Sequence, residues 1–313
     1  MKSLFSSSFF VGNRRRLRDA VGDGLIVVTA NGLLQRSSID GAYLFHQDAD
    51  FWYLTGIDEP DVVLVMDGNK EYLMVPDRPA IREAFDGAVD HGPLSRRSGI
   101  KEVSDSKAGW ERLGKRLKKT GNVYTPAGHR YTERHGIYPN PARGVLAARM
   151  RAAGDRPKFN DISSELARLR MIKQVPELKA MQAAIDITVG SVKEALKPSK
   201  RKEYVHEYEI EAGITAGFRR RGAAGHSFEP IVAGGKRACT LHNVANDSAL
   251  KRGELVVVDV GAEVEHYAAD ITRTVSLGQP SGRQKEVHAA VLEVQKFALT
   301  LLKPGIKLED YEK

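Results

Sequence analysis

From Ile162 to Phe218 the apolar residues recur every three or four positions, and beyond Gly222 they gather into short blocks cut by glycines. The first spacing builds amphipathic helices and the second builds strands. This half of the chain must therefore pack helices onto a sheet. Ile162, Leu166, Leu169 and Ile172 step by four, three and three. A second helix is expected to start at Pro176, a residue suited to a first helical turn. It would place Leu178, Met181, Ile185, Val189, Val192 and Leu196 on one stripe. A third spans about 203–221, with Ile210, Ile214 and Phe218 four apart. These stripes read as core packing. SFEPIVAGG, ACTLHN, GELVVVDVGAEV and HYAADITRTVSLG then read as strands. A last helix over about 284–302 aligns Val287, Val291, Val294, Ala298 and Leu301.

The first half mixes both element types. LIVVTA (25–30), VVLVM (62–66) and EYLMV (71–75) are strand-like, and Asp67-Gly68-Asn69-Lys70 reads as the turn of a hairpin. Segment 107–119 reads as a basic helix. Pro139, Pro141, Gly144, Gly154 and Pro157 break up the stretch that follows, which places a domain boundary there. The expected domains are 1–158 and 159–313. No repeat of solenoid length occurs.

With 42% apolar and 28% charged residues over 313 positions, the composition is that of a globular chain long enough for two domains. The net charge of +8 comes from scattered clusters at Arg14–Arg16, Lys115–Lys119, Lys200–Lys202 and Arg219–Arg221. Acidic residues interleave them and no nucleic-acid motif accompanies them. They read as solvated helix faces and ends, and neither nucleic acid nor membrane is an expected partner. No window approaches the ~20 apolar residues of a membrane span. The start, MKSLFSSSFFVGNRRRL, is not a good secretory signal. Its Arg and Ser content suits a transit peptide, but Phe9–Phe10 ahead of Arg14–Leu17 reads more simply as the lead-in to a helix. A single cysteine, Cys239, allows no internal disulfide and suits a reducing compartment, so a cytoplasmic location is expected.

The sharpest local signal is VVVDVGAEVEHYAADITRTV. Asp259 ends one strand-like run and Asp270 begins the next, with a glycine-containing connection between them that reads as a hairpin. Asp270, Thr272 and Thr274 alternate onto one face. Aspartate is depleted inside strands, and neighbouring carboxylates repel unless one stays protonated or a cation joins them. A hard divalent cation resolves the conflict. The plainer alternative has one aspartate capping a turn and the other paired with Arg273. His242, in CTLHNVAND, is by itself as well read as an ordinary polar residue. A thiol nucleophile at Cys239 finds no supporting signature.

At these residues the chain resembles the pita-bread metallopeptidases. LHNVAND followed by VVVDVGAEVEHYAADITRT carries the resemblance. LRMIKQVPELKAMQAA, EYEIEAGITAGFRRRGA, FEPIVAGG and QKEVHAAVLEVQKFALTLLKPG extend it. FHQDADFWYLTGIDEPDVVLVM (45–66) is similar to the N-terminal domain of the Xaa-Pro aminopeptidases, also called aminopeptidase P. Methionine aminopeptidases lack that domain and prolidases carry a less similar one. The resemblance implies an α/β (α+β) architecture: a creatinase-type mixed-sheet domain, then the first half of a pita-bread catalytic domain. It implies release of the residue before a proline at position two, with two divalent ions, usually Mn2+. Asp259 and Asp270 would be metal ligands. His242 would meet the scissile carbonyl, Phe228 would wall the substrate pocket, and Thr272 would orient Asp270.

The family's remaining ligands, a histidine and two glutamates, would come from beyond residue 313, and His288 does not replace them. One sheet face should then be left partly uncovered. The expected partners are the prolyl peptide and further copies of the chain, as dimer or tetramer. The alternatives are an inactive homologue acting as a binding or oligomerisation module, and an Xaa-Pro dipeptidase.

Overall fold

The structure is a computed structural model that describes residues 3–22, 24–38, 40–130, 135–153 and 157–312. Its contacts divide the chain into two compact units, Ser3–Gln174 and Val175–Lys313.

The first unit runs α1 (Ser7–Val21), β1 (Leu25–Thr29), α2 (Ala49–Thr55), β2 (Val63–Asp67), β3 (Lys70–Val75), α3 (Ala80–Asp86), α4 (His91–Ser98), β4 (Glu102–Asp105), α5 (Ser106–Leu117), β5 (Asn122–Thr125), α6 (Ala142–Ala153), β6 (Lys158–Asp161) and α7 (Ser163–Met171). Its six strands form one mixed sheet in the order β4-β3-β2-β1-β5-β6. The three strand-like runs read from the sequence are β1, β2 and β3. β2 and β3 form the expected hairpin, with Asp67 opposite Lys70 and Gly68 at φ 56°. Every residue of β1 is buried, as a strand covered on both faces requires.

The sequence puts the junction at 158–159, whereas the contacts divide after Gln174. The sixteen residues between them belong with the first unit for physical reasons. β6 extends the sheet in parallel with β5. Beyond it, Tyr53 Oη donates to the Leu169 carbonyl at 3.2 Å, and Arg170 pairs with Asp50 at 2.6 Å. Gly154, one of the breakers on which the boundary was read, lies outside the described residues.

The 45–66 stretch turns out to be structural. Asp48 caps α2, accepting from the N–H groups of Asp50 and Phe51. It also holds the buried guanidinium of Arg143 at 2.7 Å, which Asp50 shares at 2.8 Å. Phe51, Trp52 and Tyr53 fill the core. Arg14 departs from the solvated-face reading of its cluster: it is fully buried against Glu71 and the Leu54 carbonyl.

The second unit runs α8 (Val175–Ala195), α9 (Pro198–Arg201), α10 (Glu207–Arg220), β7 (Gly225–His226), β8 (Ile231–Gly234), a 3-10 turn (Gly235–Cys239), β9 (Leu255–Val260), β10 (Ala262–Val264), β11 (Tyr267–Ala268), β12 (Ile271–Ser276), α11 (Gly282–Leu301) and α12 (Leu308–Tyr311). β8, β9 and β12 make an antiparallel sheet, and β7, β10 and β11 a second small one. Val256, Val258 and Val260 pack against Ile210, Ile214 and Phe218 of α10 in one core.

Three expectations fail here, the first being that ACTLHN forms a strand: Cys239 ends the 3-10 turn and no strand follows before β9. The stripe read along α8 meets its buried face only at Val192: Leu178 is 52% and Ile185 37% exposed. The buried face is Glu177, Ala180, Ala184, Thr188, Ser191, Val192 and Ala195. Small side chains are needed because α10 approaches closely; a Cβ on Gly217 would lie 2.8 Å from Ser191 Cβ. Polar ones are needed because α8 meets strand ends. Thr188 Oγ1 accepts from Ala262 N–H at 2.9 Å, and Tyr267 Oη donates to Glu177 at 2.9 Å. Nor do β9 and β12 form a simple hairpin. β10 and β11 are inserted between them and turn at Glu265 (φ 46°) and His266 (φ 67°), the positive pair that a two-residue type I′ turn requires.

The resemblance led to the expectation of an uncovered sheet face; the exposed apolar residues found instead lie on helix α11. No residue of α11 is buried, and Val291, Val294 and Phe297 are each more than 60% exposed.

Candidate metal centre

Strand alternation sends Val256, Val258 and Val260 into the core and leaves Leu255, Val257 and Asp259 on the opposite face of β9. β12 pairs with β9 so that Thr272 stands across from Asp259 and Thr274 across from Val257. Asp270 directly precedes β12 and shares the Thr272 face by the same alternation. The two aspartates, eleven apart in sequence, thus meet on the open side of one sheet. Their carboxyl groups lie close enough for each charge to act on the other.

Burial first, then the charge of Asp259, pushes the Asp270 carboxyl above its ordinary range. Among the described residues no cation pairs with either aspartate. Arg273, the partner in the plainer reading, donates to the Thr272 carbonyl at 2.7 Å and forms no ion pair with either aspartate. Thr272 was expected to orient Asp270. Its Oγ1 instead donates to Asp259 Oδ1 at 2.8 Å, because the register places it opposite that residue. A pair of oxygen donors facing solvent and held in mutual repulsion fits a hard divalent cation. Among the described residues no third His, Cys, Asp or Glu joins the pair, so two carboxylates are this unit's contribution.

What brings Asp270 back to Asp259 is Gly261. A Cβ there would lie 1.7 Å from the Ala269 carbonyl oxygen and 2.5 Å from Ser227 Oγ. Ser227 Oγ donates to that carbonyl at 2.8 Å, and the Ser227 N–H donates to the Gly261 carbonyl at 2.9 Å. Ala269 N–H closes the strap on Ala262 at 3.0 Å. The glycine therefore permits a backbone approach that no side chain would allow.

His242 lies exposed after the 3-10 turn, in the segment leading to β9, and makes no hydrogen bond among the described residues. Phe228 sits half-buried in the bend between β7 and β8. No direct contact ties either residue to the aspartates. The loop that carries His242 is braced by residues the sequence reading passed over. Glu207, fully buried, accepts from Gly234 N–H at 2.8 Å, Arg237 Nε at 2.9 Å and Ser248 N–H at 3.1 Å. Asn246 Oδ1 accepts from Val232 N–H at 2.8 Å, and its Nδ2 donates to Glu211 and to the Pro230 carbonyl, both at 2.8 Å. The one available signal was the residue type, since Asn246 sits at φ 48°, where asparagine is among the few tolerated side chains. Asn246→Ala should lower the unit's stability by about 2 kcal/mol, the cost of leaving buried backbone groups unpaired. A urea midpoint equal to the parent's would contradict that.

Comparison with known proteins bears on the same residues. The model of metallopeptidase family M24 matches residues 179–313, and that of the aminopeptidase P N-terminal domain matches residues 10–124. The chain is 34% identical over 300 residues to mouse Xaa-Pro aminopeptidase 3, covering 92% of itself and 57% of that protein. It is 33% identical over 281 residues to the Xaa-Pro aminopeptidase of Haemophilus influenzae, covering 87% and 61%. The chain thus spans about six tenths of the length of these curated relatives. Escherichia coli aminopeptidase P in its low-pH form superposes with a TM-score of 0.83 at 26% identity, over 98% of this chain and 71% of that one. The chain is thus similar over its first part to the aminopeptidase P N-terminal domain and over its second part to metallopeptidase family M24.

Proposed function

We propose that the protein is a metal-dependent aminopeptidase that releases the N-terminal residue from peptides with proline second. The observation that carries this reading is the Asp259–Asp270 pair on the open face of the β8-β9-β12 sheet. The names of the relatives support the substrate class. Asp259 and Asp270 would hold divalent metal, manganese in our reading and two ions per site. When bound, such ions supply a Lewis acid and make a bound water acidic near neutral pH.

The chain's own residues do the rest. Thr272 holds Asp259 in one orientation, so that the pair presents its oxygens together. His242, with no hydrogen bond among the described residues, is available to donate to the scissile carbonyl or to carry a proton from it. Phe228 offers an apolar wall to the proline ring. That ring explains the specificity: its amide is tertiary, has no N–H and fits badly in a general peptidase cleft. Copies of the chain assemble through the first unit, as dimer or tetramer.

The test is hydrolysis of an Xaa-Pro tripeptide, by the 313-residue form and by a form carrying whatever its reading frame encodes beyond Lys313. Release of the first residue should stop on thorough chelation and return with manganese. Hydrolysis that survives chelation would overturn the reading. The 313-residue form alone should bind manganese weakly, because two carboxylates fall short of the ~6 ligands such an ion takes. Tight stoichiometric binding by calorimetry would contradict that.

A further inference from the structure

The first unit holds a cavity of about 410 Å³ remote in sequence from both aspartates. Its floor is apolar, built from Val63, Met74, Leu146 and Trp110. Two of the lining residues carry opposite charges, Asp61 and Arg149. Among the described residues neither charged group has an ion-pair or hydrogen-bond partner. Arg149 lies over the Trp110 ring, 4.0 Å from its centroid, which leaves its donors free to point elsewhere. Asp61 is fixed by its backbone, with φ 59° and its N–H donating to the Asn31 carbonyl at 2.9 Å. Desolvation by the surrounding walls pushes its carboxyl above the ordinary range, a strain that a bound cation would relieve.

Asp61 lies by the start of α6, and Arg149 stands about two turns further along that helix. A Cβ on Gly32 would come within 2.9 Å of Asp61 Oδ1. Gly32 is in turn clasped by Asn140, whose Nδ2 donates to the Gly32 carbonyl at 2.8 Å, and Asn140 stands just ahead of α6. Arg149 lies seven residues along α6 from Ala142, about 10 Å at 1.5 Å per residue. An extended peptide covers that distance in about three residues, and a dipeptide with long termini nearly does.

We infer that this cavity binds a short apolar peptide, its ammonium on Asp61 and its carboxylate on Arg149. The volume suits a ligand of two or three residues, and the charge pattern is that of a peptide zwitterion. The site is separate from the one proposed for hydrolysis and does not depend on it.

The test uses the 313-residue chain and leucyl-leucine, which has no proline and so is not a substrate of the proposed reaction. Binding is read by calorimetry and by tryptophan fluorescence. N-acetyl-leucyl-leucine lacks the ammonium, and leucyl-leucinamide lacks the carboxylate. The parent chain should bind each blocked peptide about tenfold or more weakly than the free one, a difference of ~1.4 kcal/mol or more. Asp61→Asn keeps a residue at home at positive φ and should erase the penalty for acetylation while keeping that for amidation. Arg149→Gln should do the reverse. Thermal melts that match the parent's establish that both variants are folded. Absence of saturable binding at millimolar peptide, or variants that weaken all three ligands equally, would overturn the inference.

Discussion

Gly261→Ala is expected to unfold the second unit about 10 °C below the parent and, in the form extended beyond Lys313, to abolish metal binding with it. The new methyl would sit 1.7 Å from the Ala269 carbonyl oxygen and 2.5 Å from Ser227 Oγ. The first of these is backbone, so no rotamer change relieves the clash. Ordinary overpacking costs about 1–3 kcal/mol. A contact with a carbonyl oxygen at less than bond-contact distance lies at or above the top of that range, and a unit of this size loses about 2–4 °C for each kcal/mol. The strap must open to admit the methyl, and Asp270 follows Ala269 directly, so the carboxylate pair parts. Asp270→Asn separates the two effects. It leaves the backbone approach untouched, and in the form extended beyond Lys313 it should keep the parent's melting temperature while losing metal loading. A Gly261→Ala protein that melts within about 2 °C of the parent would show that the close approach is not required by the fold.

Elements that announce themselves by local pattern were legible in the sequence. β1, β2 and β3 are continuous apolar runs, and Asp67–Lys70 carries its own turn chemistry. The face that Asp270 shares with Thr272 and Thr274 was legible too, because a period of two fixes which residues share a strand face. Failures came where a tertiary neighbour, not the local pattern, decides burial. α8 turns Ala180, Ala184 and Thr188 inward because α10 and the end of β10 approach too closely for leucine or isoleucine. Nothing within the helix states that. The β10–β11 insertion was hidden because its strands are three and two residues long, below the length at which alternation can be read. Thr272 was assigned to the wrong aspartate because only the cross-strand register pairs it with Asp259. Glu207 and Asn246 were missed for a related reason: a buried polar residue is recognised by its partners, and those partners lie up to forty-one positions away.

Arg14 is the clearest such case, and it carries the other large effect. The sequence shows three consecutive arginines, a pattern that ordinarily marks a solvated face. In the fold Arg14 is fully buried, with Nε and Nη2 on the two Glu71 oxygens at 3.0 and 2.8 Å and Nη1 on the Leu54 carbonyl at 2.7 Å. Arg14→Met should destabilise the first unit by about 3 kcal/mol, the low end of what breaking a buried pair costs. The low end applies because Arg18 also bonds Glu71 and would keep part of the charge balanced. Replacing Glu71 by methionine in the same chain should recover much of the loss, since the carboxylate stranded by the first change is then gone. The pH dependence tests the electrostatic origin. Burial alone would raise the Glu71 carboxyl, but the hydrogen bonds and charges of Arg14 and Arg18 hold it below its ordinary value. A depressed carboxylate stabilises the fold above its unfolded pKa of about 4.3 and loses that contribution as pH falls through the lower folded value. The gap in unfolding free energy between parent and Arg14→Met should therefore be widest near neutral pH and narrow below about pH 4. A gap that stays constant down to pH 3 would mean that the loss is one of packing around the arginine stem, and that the ion pair contributes nothing of its own.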